Sequence, residues 1–354
     1  METPPLSTPD ESWQSQVLGY LIPLLLALIV GAGLIMYLGE SPLEVYRLLI
    51  WGAFGSLNNL ISTLRWATPL IMSGLAVSFA YRAGLFNMGV EGQIFIGAFV
   101  AALAGIYLDG LGFLHMPTAL ALAAIGGGLF ALLPAWLRVY EGVNEIVTTL
   151  MLDYVALFLT NYLLVTYFLP GGSAVRVVEV ATKRVAKSAE IPLLVPPHPL
   201  NAGLYLAVIL SILAHLFFRR TVAGYRLTVA GASDSFARYG GIAVRKVGLI
   251  AFVISGMIAG LAGGIEVLGS SGRFVAGFAK GLGQNGILVA LLGKAHPLGV
   301  IFAGFFYGAL RNGSFVLERM TNVDRNVAIV LQATIILFMS SRTILEWLKK
   351  KGVK

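Results

Sequence analysis

Two carboxylates, Asp153 and Glu266, stand inside long apolar runs, and neither has a basic residue one helical turn away. A charged group in such a position is costly unless it faces an interior or a water-filled path. The two could therefore form a proton relay or be hydrogen-bonded groups that line a path. Proton-driven carriers offer several aligned carboxyl or imidazole groups, whereas here each carboxylate stands alone, which favours the second role. The same reasoning marks Asn87, Glu91, Gln93, Asn144, Gln284 and Asn285 as candidate path residues, with Glu145, Asn161 and Gln332 as further polar groups near apolar runs.

Other chemistry finds little support. The four histidines, His115, His198, His215 and His296, fall in loops and at run ends without metal-ligand spacing. The chain has no Cys, which excludes disulfides, thiolate sites and a Cys nucleophile. It contains no G-x-x-x-x-G-K-[ST], H-E-x-x-H or G-x-S-x-G. Gly281 to Gly286 matches G-x-G-x-x-G, but no strand precedes it, so it reads as a helix-entry turn. Catalysis by this chain is unsupported, and its energy source must be an ion gradient or another subunit.

The elements that must hold these residues are membrane helices. Of 354 residues 57% are hydrophobic and 12% charged, with mean hydropathy +0.84, about half the charge of an ordinary soluble chain. A bilayer core takes about 20 apolar residues per helix. That ruler predicts spans at 17–38, 66–81, 93–108, 118–137, 146–168, 202–218 and 247–268, shorter pieces at 286–292 and 298–310, and a last run at 327–343, about ten crossings. Pro42 to Leu64 carries Glu44 and Arg47 and reads as an interfacial helix. A long polar connection, Leu169 to Asn201, joins the fifth and sixth spans. The N-terminal stretch lacks a basic n-region, so the first run reads as a retained helix.

The net charge of +8 is dispersed through loops and a tail of Lys349, Lys350, Lys351 and Lys354 after the last run, which reads as topology and lipid anchoring, not nucleic-acid binding. The basic, glycine-punctuated loop 219–246 is too polar to span a bilayer and is expected to face the cytoplasm, where a partner could dock on it. An even number of crossings puts both termini on that same side. The small-residue run Ser255 to Gly264 and Gly126-Gly127-Gly128 read as close helix packing. A faint inverted repeat relates residues 66–168 to 247–344, pairing Gly89-Val90-Glu91-Gly92 with Gly283-Gln284-Asn285-Gly286 and Pro117 with Pro297, all within one transmembrane domain spanning 1–354.

Three motifs carry a family resemblance: Arg82 to Gln93 (RAGLFNMGVEGQ), Asn144 to Leu152 (NEIVTTLML) and Gly231 to Ile242 (GASDSFARYGGI), extended by Ser255 to Gly269, Ile287 to Gly299 and Gly308 to Gly313. In this order, over about residues 60 to 345, the chain resembles the permease subunits of bacterial ABC importers in the family of ribose-type sugar, branched-chain amino-acid and purine-nucleoside permeases. The Phe86-Asn87 to Glu91-Gly92-Gln93 wording is most similar to the nucleoside-type members. Asp153 departs from the pattern, standing where Asn is expected.

The resemblance implies an all-α polytopic permease of the type II-like kind in the bacterial cytoplasmic (inner) membrane, forming one half of an ATP-driven importer for nucleosides. ABC permeases for simple sugars and ion-gradient-driven secondary transporters are the alternatives. It implies a second related permease or a second copy, and an extracytoplasmic binding protein or lipoprotein. ATP and Mg would be held by a separate ATPase, leaving no cofactor on this chain. It also implies an ATPase-coupling helix over Ala232 to Gly241. The residues there fit: Ser233 and Asp234 can cap a helix start, Phe236 and Tyr239 offer an apolar and aromatic face, Arg238 a charge, and Gly240-Gly241 a stop, with Ala237 also in the coupling segment.

Overall fold

A computed structural model of the chain describes residues 13–37, 39–169, 180–321, 330 and 332–334, with side chains from residue 25 onward. The helices in chain order are α1 (Trp13–Tyr37), α2 (Pro42–Phe54), α3 (Leu57–Arg82), α4 (Val90–Tyr107), α5 (His115–Glu141), α6 (Glu145–Leu163), α7 (Gly203–Arg220), α8 (Val222–Ala232), α9 (Asp234–Tyr239), α10 (Val244–Glu266), α11 (Leu282–Leu292) and α12 (Pro297–Met320). Among the described residues, seven helices are long and apolar enough to cross a membrane, or eight if the bent pair of α1 and α2 forms one span. The protein is thus an all-α polytopic membrane protein.

The expected ten crossings are not all found. The short piece at 286–292 belongs to α11, whose 11 residues rise about 16 Å, roughly half a bilayer core. The piece at 298–310 lengthens into α12, at 24 residues a full span. The run at 327–343 lies outside the described residues apart from 330 and 332–334, as do the lysine tail and the chain's first twelve residues.

The helix starts follow local capping. α3 begins at Leu57, nine residues before the expected start at Trp66, because the Ser56 hydroxyl accepts a hydrogen bond from Asn59 N at 3.1 Å. Residues 57–64 are therefore part of a span, which corrects the expectation that the interfacial segment reaches Leu64. α5 stops at Gly142, whose φ of 70° suits a left-handed C-terminal cap. Two residues later Asn144 starts α6 by accepting from Ile146 N (2.9 Å) and Val147 N (3.4 Å).

Packing divides the chain into two compact units, residues 1–52 with 310–354, and residues 53–309. In the first, Ile35, Val45, Leu49 and Leu317 form a buried cluster, and Asn312 Nδ2 donates to the Gly52 carbonyl at 2.8 Å. In the second, α4, α5 and α10 meet backbone to backbone at glycines. A Cβ on Gly127 would lie 2.7 Å from Gly260 Cα, and one on Gly97 would collide with the Gly260 backbone. α3 is held against α11 and α12 in the same way, through Gly286 on Ser73, Gly304 on Ile71 and Gly308 on Ala67. The described part of the 169–201 connection lies across the C-terminal ends of α4 and α10. Ala186 N donates to Gly105 O (2.8 Å), Val185 N to Gly272 O (2.9 Å) and Ile191 N to Leu268 O (2.9 Å).

Candidate functional site: a capped helix junction and the loop beside it

The N-terminal ends of α4 and α11 meet inside the second unit. Gly283 lies so close to Glu91 that a Cβ there would fall 2.6 Å from the Glu91 Cβ. Two helix N-termini brought together concentrate unpaired N–H groups and positive dipole ends. Two carboxylates answer them. Glu91 Oε2 accepts from Gly281 N at the start of α11 (2.9 Å), and Asp153 Oδ1, from α6, accepts from Gly92 N in the first turn of α4 (2.6 Å). Each caps a helix belonging to another element, so α4, α6 and α11 are tied at one point.

Asn87, in the turn before α4, is fully buried and fully engaged. Its Nδ2 donates to Gln93 Oε1 and to Ser255 Oγ on α10, both at 2.9 Å, and its Oδ1 accepts from Gly89 N (3.1 Å) and Gln93 Nε2 (3.2 Å). The Ser255 hydroxyl in turn donates to the Ala76 carbonyl of α3 (2.6 Å). This closed network joins α3, α4 and α10, and a closed buried network fixes geometry.

The remaining candidates are dispersed. Asn285 Oδ1 accepts from the Tyr307 hydroxyl of α12 at 2.6 Å, Gln284 is exposed, and Asn144 is the exposed cap of α6. Glu266 does not stand alone: Arg65 Nη2 of α3 lies 2.9 Å from its Oε2, with the two side chains 18% and 7% exposed. The guanidinium is also 4.1 Å from the Trp66 ring centroid, and its Nη1 is buried without a hydrogen bond among the described residues. Arg65 and Ser255 escaped the sequence reading as partners because each is distant along the chain from the group it holds.

Loop 219–246 holds two short helices. Thr221 caps α8 by accepting from Gly224 N (3.0 Å), and Ser233 caps α9 by accepting from Phe236 N (3.3 Å). Arg238 pairs with Asp234 at 2.9 Å within α9, Ala237 is buried, and Gly240 with Gly241 at φ 73° ends the helix. Ala232 closes α8. Phe236 and Tyr239 are 65% and 93% exposed, so the apolar face of α9 points away from the rest of the chain. A cleft of about 400 Å³ opens beside it between Tyr140, Arg238 and Lys246. At the other end of the loop, Gly231 packs on the turn after α3, where a Cβ would collide with the Arg82 carbonyl and lie 2.7 Å from Gly84 N. α8 thus touches, backbone to backbone, the turn that leads into Asn87 and α4.

Two of the scattered histidines meet. The His215 and His296 rings are 5.0 Å apart beside Arg82. Burial, then the charge of Arg82 and the neighbouring His215, hold the His296 imidazole below its ordinary pKa. Among the described residues no group of three or more His, Cys, Asp or Glu could hold a metal ion.

Residues 59–339 match the family model described as branched-chain amino acid transport system / permease component. The chain is 35% identical to a guanosine ABC transporter permease protein of Bacillus subtilis (strain 168), over 96% of this chain and 98% of that one. It is 34% identical to a glucose ABC transporter permease protein of Haloferax volcanii, over 90% of this chain and 85% of that one. A nucleoside ABC transporter permease protein of Lactococcus lactis is 28% identical, over 96% and 95%. No solved structure matches the chain.

Proposed function

The chain belongs to the permease family of the branched-chain amino acid transport system, and from that premise we propose that it forms one membrane half of an ATP-driven importer of nucleosides. The observation that carries the substrate is the 35% identity, over nearly the full length of both chains, to a guanosine permease, joined by the nucleoside permease of Lactococcus lactis. The glucose permease relative supports a second reading, a simple-sugar importer, because a nucleoside and a sugar share a hydroxyl-bearing ring.

The remaining parts of the system are a second related permease or a second copy of this chain, an extracytoplasmic binding protein or lipoprotein that delivers ligand, and an ATPase that holds ATP and Mg. The chain sits in the cytoplasmic membrane with both termini and loop 219–246 on the cytoplasmic side. α9 is the coupling helix. Its exposed Phe236 and Tyr239 are aromatic anchors for a groove of the ATPase, and large aromatic groups set into such pockets dominate interface energies. Movement of α9 passes through α8 and the Gly231 contact to the Gly84–Asn87 turn, and from there to α4 and the capped junction.

The two N-termini that meet at Glu91 and Gly283 are the segments paired in the proposed inverted repeat, and their contact supports a path between the proposed repeats. In this chain the carboxyl groups near it tie helices together, and Gln284 and Asn285 lie in the first turn of α11 beside it.

Uptake of labelled guanosine, adenosine, glucose and leucine by cells with and without the gene tests the substrate. Loss of nucleoside uptake alone is expected, whereas loss of glucose uptake with nucleoside uptake intact would establish the sugar reading instead.

A further inference from the structure

A second polar cleft lies within residues 53–309, where the C-terminal ends of α3 and α7 meet the turn before α12. It measures about 360 Å³ and is lined by Arg82, His215, Phe218, Arg219 and His296. Every ionisable group on its wall is a cation or a potential one. Arg82 is fixed in two ways: its Nε donates to the Ala295 carbonyl (3.1 Å) and its guanidinium lies 4.8 Å from the Phe218 ring centroid. The terminal nitrogens of its fork make no hydrogen bond to the protein among the described residues.

The turn that presents His296 is held in an uncommon shape. Lys294 and Ala295 both take positive φ, 55° and 48°, and neither is glycine. Side chains beyond Gly disfavour that region, because Cβ crowds the following carbonyl oxygen. The Arg82 bond to Ala295 O and the 2.7 Å bond from Ala295 N to Ala290 O maintain it. His296 follows directly, and its ring lies 5.0 Å from that of His215. Two arginines and two imidazoles turned on one cavity repel one another when charged, and a planar guanidinium fork matches a tetrahedral oxyanion.

We infer that this cleft is a binding site for a phosphate-bearing anion, held by Arg82 and Arg219 with His215 and His296 as additional donors. The same chemistry is offered by an anionic lipid headgroup at the membrane surface and by a soluble phosphate. The inference does not rest on the transport substrate. A bound phosphodiester headgroup, whose own charge is constant over this range, favours the protonated imidazole, so its binding tightens as pH falls from 8 toward 6. Among the described residues, Arg82 from α3 and His215 and Arg219 from α7 line the cleft with His296, and Lys294 stands two residues before it in the same turn.

The test uses the full chain in a neutral detergent. Its thermal midpoint is followed against dioctanoyl phosphatidylglycerol, against sodium phosphate at constant ionic strength, and against dioctanoyl phosphatidylcholine as the control. The same titrations are run on Arg219→Gln, whose side chain is exposed, and on His296→Gln. Saturable stabilisation by phosphatidylglycerol or by phosphate is expected, weakened about tenfold by Arg219→Gln, with His296→Gln flattening the dependence on pH. A response to phosphatidylglycerol alone assigns a lipid headgroup, and a response to inorganic phosphate assigns a soluble ligand. Absence of saturable binding by both probes, or equal binding by wild type and Arg219→Gln, overturns the inference.

Discussion

Some single residues within the spans carry charge or polarity to a partner: Arg65 meets Glu266, and Asp153 accepts from Gly92 N. The ion pair of Arg65 and Glu266 is the sharpest case, because both groups sit within spans and neither is much exposed. Removing one member of a buried pair costs about 3 kcal/mol or more, since it strands the other, while replacing both with apolar groups is often neutral. Glu266→Gln is therefore expected to lower the thermal midpoint in detergent by several degrees, and Arg65→Met with Glu266→Leu to recover most of the loss. Asp153→Ala should cost about 1 kcal/mol as a lost helix cap, and Asp153→Asn much less, because the amide oxygen still accepts from Gly92 N. Outside the spans, His296 has a lowered folded pKa, so its stabilising contribution is complete above the unfolded value near 6.5 and is lost as pH falls through the folded one. A thermal midpoint that declines below about pH 6.5, and less so in His296→Gln, is the expected outcome.

At the level of elements, what was legible in the sequence was what is decided locally. Ser233, Asp234 and Gly240-Gly241 marked out α9, because a cap and a stop act within one turn. The small-residue run of α10 announced backbone-close packing, and the glycines of α4 and α5 accept it. The partners of Glu266 and Asn87 were not legible, since Arg65 lies 201 residues from Glu266 and Ser255 lies 168 from Asn87, and no periodicity reports such distances. The start of α3 was missed because polar residues at 57–65 masked the Ser56 cap. Gly231 gives the element-scale prediction. Gly231→Ala must push α8 off the Arg82–Gly84 turn, so uptake should fall severalfold while the chain still inserts, whereas Gly33→Ala, with nothing within 4 Å, should leave both unchanged.

For the whole molecule, the family, the helical membrane fold and the permease role follow from similarity over nearly the full length and from the seven or eight candidate spans among the described residues. The orientation can be read directly, because the chain has no Cys and single cysteines can be placed at will. α7 separates the 180–201 connection from loop 219–246, so Val195→Cys should react with a membrane-impermeant maleimide in intact cells, and Tyr239→Cys only after permeabilisation. The central claim is that nucleoside import is driven by ATP through α9. Its most direct test is uptake of labelled guanosine into proteoliposomes holding the assembled transporter and its binding protein, with ATP on the ATPase side, for wild type and for Phe236→Ala with Tyr239→Ala. ATP-dependent uptake that persists when ion gradients are collapsed and falls at least tenfold in the double variant is the expected result. Uptake that needs an ion gradient but no ATP, or ATP-driven uptake unchanged in the double variant, would contradict it.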